Sequence, residues 1–314
     1  MTLIDEKELV RSLQGKGRLL IGVSGGADSM ALLHIILQNR GKLSNEIKVL
    51  HVNHQINRES KTWAQLVHDY CTSNQIPVQV VNVDVSVWDN NEEKAARLAR
   101  YDAFSKQEFD TLLLAHHAND QIETFFLKLF RGSGVKGLRC MAMQSPCWFD
   151  QTKLVMRPLL KVKRQQIEEY VEQYQVPYVT DPSNVDRRFD RNWIRHDLVP
   201  LIEQRNSKAY DNILHSVEIQ TETYELIFEL AEIDRQACST SDGNLDWLKV
   251  KSLGLVRIKN LIMHLCAANL VDASTRHIED FAKGLIETDM DGRNEMRLRG
   301  FSIRKVGKTL IIGR

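Results

Sequence analysis

Four short apolar runs set the rhythm of the first half of the chain. Residues 18–23 (RLLIGV), 47–52 (IKVLHV), 78–85 (VQVVNVDV) and 111–115 (TLLLA) are nearly continuous rather than alternating. That is the pattern of strands buried on both faces. Helical periodicity fills the gaps at 28–40, about 58–74, about 91–107 and about 118–131. Asn57 precedes the second of these helices, and Asn90 caps the third with Glu92 and Glu93 in its first turn. The alternation predicts an α/β fold, a doubly wound parallel sheet covered by helices on both sides. A fifth strand near 153–156 and a helix at about 163–175 complete it, followed by a loop over 179–184. Residues 208–235 read as one amphipathic helix, 236–244 as polar turns and 245–290 as helices again. The tail 296–312 alternates around Gly307, a β-hairpin pattern. The expected organisation is an α/β domain over 1–207, a helical linker over 208–235, and a smaller, mainly helical domain over 236–314 that ends in the hairpin.

Composition narrows this picture only modestly. The 314 residues are 43% hydrophobic and 26% charged, ordinary for a globular protein. No apolar run is long enough to span a membrane, so no membrane partner is expected. The acidic N-terminus lacks the basic and apolar regions of a signal peptide. Five cysteines make neither a CxxC pair nor an even disulfide set, which points to a reducing, cytoplasmic location. A net charge of +1 decides nothing about nucleic acid, because phosphate contacts depend on local clusters. Nothing in the sequence sets the oligomeric state, and a homodimer is compatible with it.

In a parallel sheet, ligands bind beyond the carboxyl ends of the strands. Three polar clusters fall there: Ser24 to Ser29, His51 to His54, and His116 to Asp120. The first reads Ser24-Gly25-Gly26-Ala27-Asp28-Ser29 at a strand-to-helix turn. Backbone N–H groups converge at such a turn, the helix dipole adds positive charge, and the glycines admit an anion closely. Ser24 and Ser29 offer hydroxyl donors. The structural alternative is a plain turn capped by Asp28. A Walker loop would carry a lysine before its Ser/Thr and a dinucleotide fold would show GxGxxG; neither is present. The stretch resembles the pyrophosphate loop (PP-loop) of the N-type ATP pyrophosphatases, which cut ATP between its α and β phosphates. That resemblance implies ATP held by Ser24, Gly25, Gly26, Ala27, Asp28 and Ser29, with the backbone at Val52 reading the purine edge. An aspartate there suits a Mg²⁺ that bridges the polyphosphate.

The remaining motifs come in order. His51-Val52-Asn53-His54 follows the second strand, and Arg97 and Arg100 share a helix face. Ala115-His116-His117-Ala118-Asn119-Asp120 runs on through Glu123 into the glycine-bearing loop Arg131-Gly132-Ser133-Gly134. Arg157-Pro158-Leu159-Leu160, Asp181-Pro182-Ser183-Asn184 and Arg191-Asn192-Trp193-Ile194-Arg195 complete the series. Across roughly the first 200 residues this is similar to the tRNA(Ile)-lysidine synthetases. The resemblance implies an enzyme that adenylates the C2 oxygen of the wobble cytidine in the CAU-anticodon isoleucine tRNA. Free L-lysine then displaces AMP through its ε-amine. It also implies Asp28, Arg97, His117 and Asp120 as catalytic residues, with Asp28 and Asp120 as metal ligands. The family often has two aspartates where this chain has Asn119-Asp120, and Asn119 carries no charge. Plain structural alternatives stand beside each: a surface pair for Arg97 and Arg100, a dipole-complementing carboxylate for Asp120, and structural roles for His51 and His54.

Basic residues mark the expected tRNA contacts: Arg131 and Lys136, Arg191 and Arg195, then Arg297, Arg299, Arg304 and Lys305 in a tail with Glu295 as its one acid after Arg293. Trp193 and Phe189 among the arginines can stack a flipped base, although their helical spacing favours the core. Rival readings are a tRNA cytidine thiolase, for which the paired cysteines are lacking, an amidotransferase, and an ATP-binding module without turnover.

Overall fold

The computed structural model describes residues 5–87 and 92–313, so the Asn90 cap lies outside the described residues. The chain divides into two compact units, Met1–Glu218 and Ile219–Arg314. The division falls within a single helix, Ala209–Cys238, where a linker over 208–235 was expected.

The first unit opens with α1 (Glu6–Leu13), β1 (Leu19–Gly22), α2 (Ala27–Gln38), β2 (Ile47–Asn53), α3 (Ser60–Ser73), β3 (Val78–Asn82) and α4 (Glu92–Ser105). It continues with β4 (Thr111–Leu113), α5 (Ala118–Phe130), α6 (Val135–Leu138), β5 (Gln144–Pro146), β6 (Leu154–Met156) and α7 (Arg164–Gln173). Then come α8 (Asp190–Trp193), a π-type turn at Ile194–Leu198, α9 (Val199–Arg205) and the start of α10 (Ala209–Cys238). The sheet order is β3-β2-β1-β4-β6-β5. All neighbours are parallel except β5, which runs antiparallel to β6 at the edge. Apolar strands explain the burial: Leu19, Leu20, Ile21, Val49, Leu112 and Val155 are sealed from water. The helix α2 is apolar all round because it is covered on every side, with Met30 to Leu33, Ile35 and Ile36 buried.

This order places a switch point between β1 and β4, since β2 and β3 extend one way from β1 and β4 and β6 the other. The turns after β1 and β4 flank the resulting crevice. One leads into α2 and carries Asp28; the other leads into α5 and carries His117 and Asp120. Two helix N-termini therefore meet at one rim.

The second unit contains the rest of α10, β7 (Leu245–Asp246), α11 (Trp247–Ser252), α12 (Leu255–Ala268), α13 (Thr275–Glu287), β8 (Asn294–Leu298), β9 (Phe301–Val306) and β10 (Thr309–Gly313). The expected hairpin is present as β9 and β10, but it is part of a four-stranded antiparallel sheet in the order β7-β10-β9-β8. The strand β7 is two residues long and β8 is polar at alternate positions, so neither stands out in the sequence.

Lys305 departs from its expected role. It is 2% exposed. Its ammonium donates to the carbonyls of Asp289, Met290 and Gly292 at 2.8, 2.8 and 2.9 Å and lies 4.3 Å from the centre of the Trp247 ring. A cation committed in this way closes the 289–292 turn and is not offered to phosphate. Its sequence position among exposed arginines hid this, because alternation along β9 turns Lys305 inward with Phe301 and Ile303. Replacing Lys305 by Met would strand three carbonyls, and we expect the second unit to lose about 2–4 kcal/mol in urea unfolding. Lys308→Met, at an exposed turn, is the control and should change stability by less than about 0.5 kcal/mol.

Candidate active site

The turn after β1 is a compact knot of hydrogen bonds. Ser29 Oγ accepts from the amides of Ser24 and Gly25 at 3.1 and 3.2 Å and donates to the carbonyl of Gly26 at 3.0 Å. The Ser24 hydroxyl lies 3.1 Å from it and accepts from the Gly26 amide at 3.4 Å. The two serines therefore shape the loop from inside, where hydroxyl donors toward a ligand were expected. What remains is the start of α2, capped at Gly26 without any side chain. Uncapped leading amides and the helix dipole together favour an anion.

The two glycines have different reasons. Gly25 has φ +93°, and a Cβ there would press on Val179 Cγ2 at 3.3 Å and Val67 Cγ2 at 3.4 Å. The Val179 amide donates to the Gly25 carbonyl at 2.9 Å, fixing the turn from the 179–181 loop. A Cβ on Gly26 would meet nothing nearer than Ser24 Oγ at 3.6 Å, so the protein itself does not require glycine there.

Val52 lies on the part of β2 that outruns β1. The β1–β2 register ends at Gly22 with Leu50, and the Val23 amide donates to the Leu50 carbonyl. The amides and carbonyls of 48, 50 and 52 point toward β1 by alternation, so those of Val52 lie past its end. One backbone donor and one acceptor face the space beyond β1 there.

At the start of α5, His117 is buried between two carboxylates. Its Nε2 lies 3.5 Å from Asp28 Oδ1 and 3.6 Å from Asp120 Oδ2, and its amide donates to Asp120 Oδ2 at 3.0 Å. Burial works against the charged ring, yet Asp28 and Asp120, with Glu123 behind them, outweigh it and raise its pKa. The adjacent His116 goes the other way: burial pushes it down to about 4, only partly opposed by Asp120. His54 is likewise pushed down to about 4 by burial and by the charge of Arg100. His51, also buried and lowered, lies 2.9 Å through Nδ1 from the carbonyl of Val23. His117 is thus raised where the histidines around it are lowered.

Behind Asp120 sits Glu123, 1% exposed and one turn further along α5. Arg195 Nε donates to its Oε1 at 2.6 Å. Arg191 Nε lies 2.9 Å from Oε2, an ion pair at an angle too poor for a hydrogen bond. Arg195 also reaches within 3.9 Å of Asp120 Oδ1. Burial opposes the Arg195 charge, but its pairing with Glu123 raises its pKa. Arg191 and Arg195, expected on tRNA, therefore brace the carboxylates. Glu123 was not singled out from the sequence; its i+3 spacing from Asp120, which puts both on one helix face, was the available signal.

Asn119 turns away from this set. Its Oδ1 accepts from the Arg164 amide at 2.9 Å and from the Tyr210 hydroxyl at 2.7 Å, so it caps α7 and ties in the start of α10. Asp120 is already engaged by the His117 amide, whereas Asp28 Oδ1 is buried without a hydrogen-bond partner. Among the described residues no three His, Cys, Asp or Glu form a cage of their own. The fit is to a Mg²⁺ that arrives on a polyphosphate, with Asp28 supplying a carboxylate oxygen and phosphate and water the rest.

The other expected residues differ in exposure. Arg97 is exposed on α4, and it is Arg100 whose charge reaches His54 and His116. Arg131 and Lys136 are exposed beside the 132–134 loop. Arg297, Arg299 and Arg304 are exposed on the second unit, Arg297 pairing with Glu295 at 2.8 Å. Arg157 is buried and donates to the carbonyl of Ala142 at 2.9 Å. Trp193 is 41% exposed, not in the core.

The parallel sheet, its switch-point crevice and the Ser24–Ser29 turn define a PP-loop nucleotide-site architecture. Residues 2–202 match the PP-loop domain family. The chain is 34% identical over 255 residues to a tRNA(Ile)-lysidine synthase of Nitrosomonas europaea, covering 81% of this chain and 56% of that one. To the tRNA(Ile)-lysidine synthase of Haemophilus ducreyi it is 30% identical over 314 residues, covering 98% and 71%. The chain belongs to the tRNA(Ile)-lysidine synthase family of PP-loop proteins. It spans little more than half the length of several relatives it matches, 51% in Acinetobacter baylyi. The U34-tRNA thiolase NcsA of Methanococcus maripaludis shares the fold, with TM-score 0.56 and 16% identity over 69% of this chain and 78% of that one.

The two glycines provide a direct check. Gly25→Ala forces a left-handed residue and should cost about 1–3 kcal/mol of stability. Gly26→Ala should leave the melting temperature within a degree or two, since it costs well under about 0.5 kcal/mol. It should still weaken ATP binding at least tenfold in calorimetric titration. Unchanged affinity for Gly26→Ala would mean that the turn is only structural.

Proposed function

We propose that this chain is a tRNA(Ile)-lysidine synthase acting on the wobble cytidine of the CAU-anticodon isoleucine tRNA, with ATP and free L-lysine as co-substrates. The observation that carries this reading is the convergence of the uncapped α2 start, the Asp28 carboxylate and the His117 ring beside it at one rim. The family supplies the substrate; the geometry supports the roles.

ATP lies with its base against the Val52 edge and its β and γ phosphates at the start of α2. A Mg²⁺ arriving with the ATP would be held by Asp28 and would supply positive charge that offsets the phosphates. The cytidine C2 oxygen attacks the α-phosphorus, and the bond from that phosphorus to the bridging oxygen breaks. Pyrophosphate leaves with the electron pair. His117, its pKa raised and its ring fixed between Asp28 and Asp120, faces the negative charge that builds on the α-phosphate. The ε-amine of lysine then attacks C2, the C2–O bond breaks and AMP departs. AMP carries away the electron pair of the broken C2–O bond, and the amine's proton passes to water at the open rim. Burial works to raise the Asp120 pKa, but His117 and Arg191 lower it, which favours a negative charge where the cationic lysine approaches. The Arg195–Glu123 pair holds Asp120 in place.

Two results test this. Enzyme, ATP and the isoleucine tRNA without lysine should release pyrophosphate, and added lysine should release AMP; production of ADP and phosphate would overturn the reading. Asp28→Ala should lower the rate at least 100-fold and remove its Mg²⁺ dependence.

The exposed arginines of the second unit are proposed to grip the tRNA. Changing Arg297, Arg299 and Arg304 together to Ala should weaken tRNA binding and flatten its logarithmic salt dependence by about 0.7–0.9 per contact removed. Filter binding at several salt concentrations measures both, and an unchanged slope would return these residues to ordinary surface.

A further inference from the structure

The end of α5 carries an aromatic surface that the chemistry above does not use. Phe130, the last residue of α5, is 57% exposed, and Trp193, the last of α8, is 41% exposed. Their ring centres are 6.2 Å apart at an interplanar angle of 44°. Phe130 is backed by Phe126, 5.9 Å away and buried, so the platform rests on the core. Large exposed rings held in contact by a rigid base are an unusual use of surface.

The platform is joined to the active site through two elements. Along α5, Phe130 stands seven residues after Glu123, about 10 Å at the helical rise. Along the α8 turn, Trp193 lies midway between Arg191 and Arg195, the two residues that hold Glu123. The loop after α5 has one sign of charge. From Lys128 to Arg139 the chain carries Lys128, Arg131, Lys136 and Arg139 and no acidic residue. Gly132, at φ +67° with no atom within 4 Å of its missing Cβ, leaves this loop open to an approaching backbone.

Aromatic rings beside a basic, open loop match an unpaired nucleotide: the base stacks while the loop takes the phosphate. We propose that the Phe130–Trp193 platform stacks an unpaired base next to the reacting cytidine, positioning that cytidine over Asp120 and His117. A protein partner is less well matched, because the loop beside Phe130 carries basic residues and no acidic one. The proposal rests on the tRNA reading above and adds a positioning residue to it.

The test uses the full chain with the isoleucine tRNA and with anticodon stem-loops that carry an abasic nucleotide on either side of the wobble cytidine. Trp193→Ala should raise the KM for tRNA about tenfold or more, the scale of losing one stacked base. ATP affinity should stay unchanged, and Trp193→Phe should restore most of the loss. With the abasic substrate whose missing base is the stacked one, wild type and Trp193→Ala should become equal. The inference fails if Trp193→Ala matches wild type on intact tRNA, or if its deficit persists undiminished on both abasic substrates. Should wild type release no pyrophosphate with intact tRNA, it is the tRNA reading that fails, and the platform is then judged by direct binding of the stem-loops alone. A deficit in Trp193→Ala that Trp193→Phe does not repair, with reduced thermal stability, would show a merely structural role and overturn it.

Discussion

Everything at the rim depends on one arrangement of titratable groups: the buried His117 ring held between Asp28 and Asp120. Carboxylates this deep need compensation, because an unpaired buried charge is far costlier than a paired one. Here the compensation is shared across two helix starts. Asp28 comes from α2, while Asp120 and His117 come from α5, and the sheet order is what brings these starts together. Glu123 with Arg191 and Arg195 extends the same logic one turn deeper. Asp28 Oδ1 and Glu123 Oε2 each have an ion-pair partner but no hydrogen bond, and of the two carboxylates Asp28 is the more open. Such an atom is costly in the absence of a ligand, which is the mark of a site shaped for something it does not itself contain.

That arrangement also explains the single substitution in the family pattern. Asn119 needs no charge, because its oxygen serves two neutral donors, the Arg164 amide and the Tyr210 hydroxyl. A second aspartate would add a third negative group beside Asp120 and Glu123, against only two nearby guanidinium groups. The neutral amide keeps the local charges balanced.

Much of the fold was legible because its signals are local and repeated. Strands buried on both faces are apolar throughout, and the turn Ser24 to Ser29 announces an anion site by residue type alone. The edge strand β5 escaped because Gln144, Ser145 and Pro146 are polar and few, and its partner β6 decides its existence. The polar site was only half legible. Asp28, His117 and Asp120 declare themselves by position at helix starts, whereas Glu123, Arg191 and Arg195 gain their roles from contacts between residues about 70 positions apart. Lys305 and Trp193 failed in opposite directions. A lysine among surface arginines was buried by strand alternation, and a tryptophan at helical spacing was left on the exposed side of a continuing helical run whose buried side takes Asn192 and Ile194. Burial of a single residue is a property of the packed neighbours, which no residue pattern carries alone.

The central claim is that this rim holds a polyphosphate through the start of α2. Backbone amide spectra of the full chain during titration with an α,β-methylene analogue of ATP and Mg²⁺ test it most directly. The account predicts the largest shifts at Gly26, Ala27 and Asp28, with a second group at Val52 and a smaller response at His117. Shifts confined to the second unit, or none at the 24–29 turn under saturating analogue, would contradict it.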